Sequence, residues 1–192
     1  MRVSSLFLML LATTCVGLRT QDVPCAALIT KDTRVLRAFL EKQQSTRQSP
    51  CLPSVIKQLG QLRDAEAIHL LVRYLDYLDP KTAPLPGDGA DVRPSYPAVS
   101  ALFQIGKPAT VELLSAIQSG GSPEFGKNAV RAYADAYRDD LSSGIRALKT
   151  AQLLAKTDDE RGRLNEARQE LIDECDARDE RQAEACRSAA LG

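Results

Sequence analysis

The sequence predicts an all-α fold: a short α-solenoid of antiparallel helix pairs, with an N-terminal helix before it and a charged helical cap after it. Three observations lead to this prediction. Apolar residues recur at spacings of three and four along most of the chain, which is the period of an amphipathic helix. Alternating runs rich in Val, Ile and Thr, which mark strands, are missing. Two successive helical stretches also align with each other at an offset of 43 residues.

The first residues of the chain have the pattern of a secretory signal. Arg2 precedes the apolar run 6–11, and the chain then continues into small residues. This run is too short to cross a membrane, because a transmembrane helix needs about 20 apolar residues. Cys15 and Gly17 are small residues at positions −3 and −1 of a cleavage site after Gly17. We therefore expect residues 1–17 to be a cleaved signal peptide and the mature chain to be secreted or periplasmic, in a bacterial envelope.

A lipoprotein signal is the alternative, with Cys15 as the lipidated residue. Bacterial lipoproteins usually carry Leu three residues before that Cys and Gly or Ala just before it. Ala12 and Thr14 occupy those positions here, so the match is poor. Contact with a membrane is expected only if Cys15 is lipidated.

The cysteine content fits an oxidising compartment. Apart from Cys15, the chain has an even number of cysteines, with no CxxC pair and no cluster at metal-ligand spacing: Cys25, Cys51, Cys175 and Cys186. This pattern favours disulfides over a metal site. Four cysteines allow three connectivities, of which the sequence-local pairing, Cys25 with Cys51 and Cys175 with Cys186, is the first choice.

The second of these pairs carries a geometric condition. Residues 11 apart in one straight helix lie about 16 Å apart along its axis, whereas the Cα atoms of a disulfide lie within about 7 Å. If Cys175 and Cys186 are bonded, the helix must therefore turn back within DARDER, residues 176–181.

The charges of the chain are balanced. It has 25 basic and 25 acidic residues, and removal of residues 1–17 takes away Arg2 and no acid, which leaves 24 against 25. A near-neutral chain has no global electrostatic attraction for nucleic acid or for an anionic membrane. We therefore expect no nucleic-acid partner.

The first predicted helix lies in the N-terminal segment 18–52. Asp32 is a good N-cap residue, and apolar side chains repeat on one face after it: Val35, Leu36, Phe39 and Leu40. The segment 53–78 then holds two apolar stretches, separated by Arg63 and Asp64. Because Asp is a preferred N-cap, we expect Asp64 to begin the second of these helices.

A loop is predicted over 79–97, which carries five prolines and two glycines. Pro97 suits the first turn of a helix that runs to Ile105. Gly106 suits the left-handed position that ends a helix, and Pro108 suits the first turn of the next one, where its missing N–H costs nothing. Gly106 and Pro108 together predict a tight turn between two helices that pack against each other.

The two predicted helix pairs resemble each other in sequence. With Leu70 placed over Leu113, apolar residues coincide throughout, namely Ile56 with Val99, Leu59 with Leu102, Leu62 with Ile105 and Ile68 with Val111. A period of about 40–47 residues with two helices per unit is that of HEAT-type repeats. The stretch AVSALFQIGKPATVELLSAI, residues 98–117, closely resembles one HEAT repeat, and VIKQLGQLRDAEAIHLLVRYL, residues 55–75, resembles it without the Gly in the turn.

The resemblance to HEAT repeats covers residues 53–154, with a degenerate third unit over 129–154. It implies a stack of helix pairs whose second helices line the concave face. The remaining segment, 155–192, is predicted to be a charged helical cap. Its helix is expected to begin with a capping box over 157–160 and to bury one apolar stripe: Leu164, Ala167, Leu171 and Cys175.

Polar residues on the predicted concave face are the candidate binding site. His69, Arg73 and Asp76 are spaced i, i+4 and i+7 on the second helix of the first unit, and the repeat offset carries His69 to Glu112. We interpret these residues as a polar groove for a protein partner. The alternative is that they are the solvated side of an amphipathic helix.

Nothing in the sequence points to catalysis, a metal or a cofactor. His69 is the one histidine, so HExxH and zinc sites with several His ligands are excluded. No Gly-x-Ser-x-Gly motif is present, and the segment GDGAD, residues 87–91, lacks the ligand spacing of an EF-hand. We therefore predict an exported, non-catalytic interaction or scaffold protein. The alternative is a lipid-anchored or pocket-type ligand-binding protein of the envelope.

Overall fold

The computed structural model describes residues 25–28, 30–82, 93–177 and 180–191. The predicted signal segment 1–17, Cys15 within it and the segment 87–91 lie outside these ranges. The described residues form ten α-helices joined by turns and three short 3₁₀ helices, and none of them is in a strand. The predicted all-α fold is confirmed.

The helices follow one another with short connections over most of the chain. In order they are α1 Cys25–Leu28, α2 Thr33–Gln43, α3 Leu52–Gln61, α4 Ile68–Val72, α5 Pro97–Ile105, α6 Thr110–Ser119, α7 Pro123–Ala136, α8 Leu141–Leu154, α9 Asp158–Asp176 and α10 Glu180–Leu191. The 3₁₀ helices are Ala65–Ala67, Arg93–Ser95 and Lys107–Ala109.

Successive helix pairs stack as a solenoid. The first helices of the pairs pack side by side, α3 on α5 and α5 on α7, while α4 packs on α6 behind them. Helices α3 and α5 approach closely at Gly60, where an added Cβ would lie 2.5 Å from the Cα of Ala101. One continuous apolar core runs from Leu36 to Ala189. Burial of this shared core stabilises the stack, because a single pair cannot cover its own apolar face.

The turns inside the first two pairs occupy equivalent positions, and each contains a residue with positive φ. Arg63 has φ 50° and Gly106 has φ 76°, and the two residues are separated by the repeat offset of 43. In the first turn, the N–H of Arg63 donates to the carbonyl of Gly60 and that of Asp64 to Leu59, which is the Schellman pattern of a helix end. As predicted, the Asp64 carboxylate then caps the following 3₁₀ turn by accepting from the Glu66 N–H at 3.1 Å.

The third helix pair departs from the predicted repeat. Its first helix, α7, begins at Pro123, ahead of the predicted start at 129, because Ser122 caps it by accepting from the Phe125 N–H at 3.2 Å. Its second helix, α8, packs mainly on α9 and α10, and α9 packs against α6. The stack therefore closes in a cluster of α8, α9 and α10.

The C-terminal cap is a helical hairpin. The buried residues of α9 are those of the predicted stripe: Leu164, Ala167, Leu171 and Cys175. Helix α9 ends at Asp176, and α10 begins at Glu180 and packs back on α9, as a Cys175 to Cys186 bond requires. The Cα atoms of these two cysteines are 6.4 Å apart, and those of Cys25 and Cys51 are 5.1 Å apart. Both sequence-local pairs thus lie at disulfide distance.

The start of α9 is close to the predicted capping box. The hydroxyl of Thr157 accepts from the Glu160 N–H at 3.1 Å. The Glu160 carboxylate reaches back to the N–H of Lys156 at 2.9 Å, one residue before the N-cap. Both bonds satisfy donors that a helix N-terminus would otherwise leave open.

Within the described ranges, no helix combines the length and the apolar character needed to cross a membrane.

We expect Arg63→Gly to stabilise the protein and Gly106→Ala to destabilise it. Arg63 is exposed, so glycine relieves the strain of positive φ without the loss of buried contacts, a gain of about 0.5–1 kcal/mol in the free energy of unfolding. At Gly106, φ 76° and ψ −140° suit glycine alone, and alanine should cost about 1–3 kcal/mol. Urea denaturation measures both changes. Changes of equal sign would contradict the equivalence of the two turns.

Candidate binding cleft

A cleft of about 410 Å³ lies where several helix ends meet, and we name it the helix-end cleft. One wall comes from the end of α2 and the turn after α4: Gln44, Arg47, Arg73, Tyr74 and Asp76. The other comes from the connection between α6 and α7 and the first turn of α7: Gly120, Gly121, Ser122 and Phe125. Three successive units of the stack therefore contribute to one cavity.

Arg47 fastens the end of α2 to the turn after α4. Its Nη1 donates to Oδ1 of Asp76 at 2.6 Å and its Nη2 to the carbonyl of Arg73 at 2.7 Å. The guanidinium carbon lies 5.4 Å from the centre of the Tyr74 ring, a favourable cation–π distance. These contacts explain how the residue holds a φ of 48°, which costs a non-glycine residue conformational energy.

Tyr74 forms the buried base of this wall. Its side chain is fully buried, and its hydroxyl donates to the carbonyl of Leu40 at 2.7 Å. Leu40 lies in the last turn of α2, where carbonyls lack intrahelical partners. Burial raises the pKa of the Tyr74 phenol, an effect that the charges of Arg47 and Arg73 oppose.

Arg73 carries the uncompensated charge of the cleft. It is exposed, and its Nη1 donates to Oε1 of Gln44 at 2.7 Å. Asp76, the carboxylate nearby in sequence, is paired with Arg47. Among the residues that the structure describes, no carboxylate lies at ion-pair distance from Arg73. The guanidinium is therefore held in place by a neutral side chain rather than by a carboxylate.

The opposite wall is built from small residues and a helix start. Gly120 has φ 69°, and an added Cβ at Gly121 would lie 2.8 Å from Cδ1 of Phe125. This wall therefore brings backbone close to the cavity, which larger residues would prevent. Because Ser122 and Phe125 border the cavity, the positive end of the α7 dipole lies beside it.

Asn128 joins the two walls. It is fully buried, and its Nδ2 donates to the carbonyl of Leu75 at 2.7 Å. Its Oδ1 in turn accepts from Nη1 of Arg131 at 2.8 Å. Because a buried amide must be paired to be stable, this network fixes α7 against the turn after α4.

The structure divides the four residues of the predicted concave site. Arg73 and Asp76 line the helix-end cleft, whereas His69 and Glu112 are exposed and lie outside its lining. The division has a local cause: α4 ends at Val72, so the i, i+7 spacing from His69 to Asp76 does not continue along one helical face. Whether His69 and Glu112 contact a partner stays a prediction.

Several cleft residues were not identified from the sequence. Arg47, Gln44 and Asn128 belong to no motif, because their roles depend on contacts with residues distant in the sequence. The stretch SGGSP, 119–123, signals only the end of a helix, although its two glycines and serine form a wall of the cavity.

The chemical groups that line the helix-end cleft are suited to contacts with a ligand. Its lining contains no histidine or cysteine, and its one carboxylate, Asp76, is held in an ion pair. In the described part of the chain, no group of three or more His, Cys, Asp or Glu side chains is placed to hold a metal ion. What the cleft offers is a guanidinium, backbone, a hydroxyl and aromatic surface.

We expect Tyr74→Phe to lower the free energy of unfolding by about 1 kcal/mol, because the Leu40 carbonyl loses its hydrogen bond inside the protein. Tyr77→Phe is the matched control. Tyr77 packs edge-to-face on Tyr74 at 6.3 Å, and no hydrogen bond from its hydroxyl is present among the described residues. Urea denaturation of both variants compares the two hydroxyls, and equal losses would contradict this role of Tyr74.

Comparison with known proteins identifies one segment of the chain. Residues 54–77 match the family described as PBS lyase HEAT-like repeat. No curated protein and no solved structure gives a significant match. The matched segment covers α3 from its third residue, the turn at Arg63 and α4, which is nearly all of the first helix pair of the stack. This part of the protein is similar to a HEAT-like repeat, and the all-helical stack is consistent with a HEAT-like solenoid.

Proposed function

We propose that the protein is an exported, non-catalytic HEAT-like repeat protein that binds a protein partner through the helix-end cleft. One observation carries the proposal: three successive units converge on a single cavity. Hydrogen bonds from buried or ion-paired side chains hold the walls of this cavity in place. The bonds from Arg47, Tyr74 and Asn128 hold the walls before any partner arrives. A preformed surface binds at a lower entropic cost than one that must first be ordered.

The proposal is tested by capture of partners from an envelope extract. The full-length chain, produced in an exporting bacterial host, is immobilised beside two double variants. Gln44→Ala with Arg73→Ala alters the cleft, and His69→Ala with Glu112→Ala alters exposed residues outside it. We expect a partner that the original chain and the second variant retain and that the cleft variant loses.

The other outcomes of this capture each exclude a part of the proposal. Loss of the partner only in the His69 and Glu112 variant would move the site to the concave face that the sequence predicts. Equal retention by all three chains would place the site elsewhere. No retained protein would favour the alternative, a pocket-type ligand-binding protein of the envelope.

Export itself is a separate part of the proposal, and the intact mass of the chain recovered from the periplasm tests it. We expect the chain to begin at Leu18, after cleavage behind Gly17. We also expect reduction to add four hydrogens, because both cysteine pairs lie at disulfide distance and an oxidising compartment favours their bonds. A lipid on Cys15, or an uncleaved chain without disulfides, would contradict this.

A further inference from the structure

The charge of the helix-end cleft indicates the chemical class of ligand that it would bind. The cleft holds two guanidinium groups and one carboxylate, and the pair between Arg47 and Asp76 leaves one positive charge on Arg73. Gln44 orients that guanidinium with one hydrogen bond at 2.7 Å, so several of its N–H donors remain for a ligand. A guanidinium with free donors is best satisfied by a carboxylate, which accepts two parallel hydrogen bonds from it.

The opposite wall favours the same charge. The positive end of the α7 dipole borders the cleft through Ser122 and Phe125. Glu124, the acidic residue of that first turn, is not part of the lining. Its carboxylate accepts from the hydroxyl of Tyr96 at 3.2 Å and lies 3.5 Å from the Lys127 ammonium. The Glu124 carboxylate is therefore directed toward Tyr96 and Lys127 rather than into the cleft.

The shape of the surroundings indicates an extended ligand. A second cavity of about 340 Å³ also borders Gly120, Gly121 and Ser122, so the two cavities are neighbours at this connection. Its lining combines the buried apolar side chains of Ile117, Val130 and Ala167 with two basic and two acidic residues, namely Lys127, Arg163, Glu166 and Glu170. A single small carboxylate would fill one cavity only, whereas a peptide could place an acidic side chain in the first and an apolar side chain in the second.

We propose that the helix-end cleft binds the carboxylate of an acidic peptide segment through Arg73, with an apolar residue of the same segment in the second cavity. This inference rests on the proposed function and specifies the chemistry of the partner. The connection of Gly120, Gly121 and Ser122 lets the peptide pass close to the backbone between the two cavities.

Labelled peptides of equal length test the proposal by fluorescence anisotropy with the full-length, exported chain. The probes repeat Glu-Leu-Gly, Gln-Leu-Gly, Lys-Leu-Gly and Glu-Gly-Gly. We expect the Glu-Leu-Gly peptide to bind at least about tenfold more tightly than its Gln and Lys counterparts, since a charge-assisted hydrogen bond is worth this much or more. The Glu-Gly-Gly peptide should bind more weakly because it leaves the second cavity empty, and N-acetylglutamate should compete poorly.

Charge reversal locates the interaction. Arg73→Glu should abolish the preference for Glu-Leu-Gly and make Lys-Leu-Gly the tighter probe, while Arg73→Gln should remove the preference without reversing it. Arg146→Glu is the control, because Arg146 is an exposed arginine of α8 outside both cavities and changes the net charge equally. Arg73 is exposed, so circular dichroism should show all three variants folded.

The outcomes separate this inference from the proposed function. Peptides that bind regardless of charge, or a preference that Arg73→Glu leaves unchanged, would overturn the acidic partner while the cleft remains an interaction site. If no peptide binds but capture identifies a partner that depends on the cleft, the acidic partner is also overturned and the cleft remains an interaction site. Tight binding of N-acetylglutamate with no gain from the peptide would identify a small carboxylate as the ligand and would overturn the peptide.

Discussion

The structure depends on the capping of carbonyl groups at one helix end by a side chain of another unit. A helix leaves its last four carbonyls without intrahelical partners. Here the carbonyls at the end of α2, in the turn after α4 and at the end of α6 each accept from a distant side chain. The donors are Tyr74, Asn128 and Arg163. Every such bond satisfies a polar group and at the same time fixes one helix end against a residue distant in the sequence.

These caps also account for the cleft. Tyr74 and Asn128 hold α2, the turn after α4 and α7 close together. Arg163 of α9 holds the end of α6 beside them, because its Nε donates to the Ile117 carbonyl at 3.1 Å. Close approach is possible on this side because Gly120 lies against the Arg163 side chain, where an added Cβ would be 3.1 Å from its Nε. Helix ends that gather in this way leave a cavity lined by backbone and by the polar residues of terminal turns.

Much of the fold is predictable because it follows from local rules. The N-caps Asp32 and Asp64, the end of α5 at Gly106 and the apolar stripe of α9 were all expected from residue type and period. The third helix pair is less regular than the period suggests. Its second helix packs on the C-terminal hairpin, since α9 occupies the surface of α6. Such packing depends on which apolar helix surfaces bury each other most effectively, and a repeat period in the sequence does not contain that information.

The sequence by itself determined the helical class, the repeat and the turns, because each depends on residues close together in the chain or on a regular period. Tertiary structure alone decided the candidate site. It separated Arg73 and Asp76 from His69 by the end of α4 at Val72, and it brought Arg47 to them through contacts 26 and 29 residues apart in sequence. No local pattern encodes such contacts, since they arise only when the core has set the distance between helix ends.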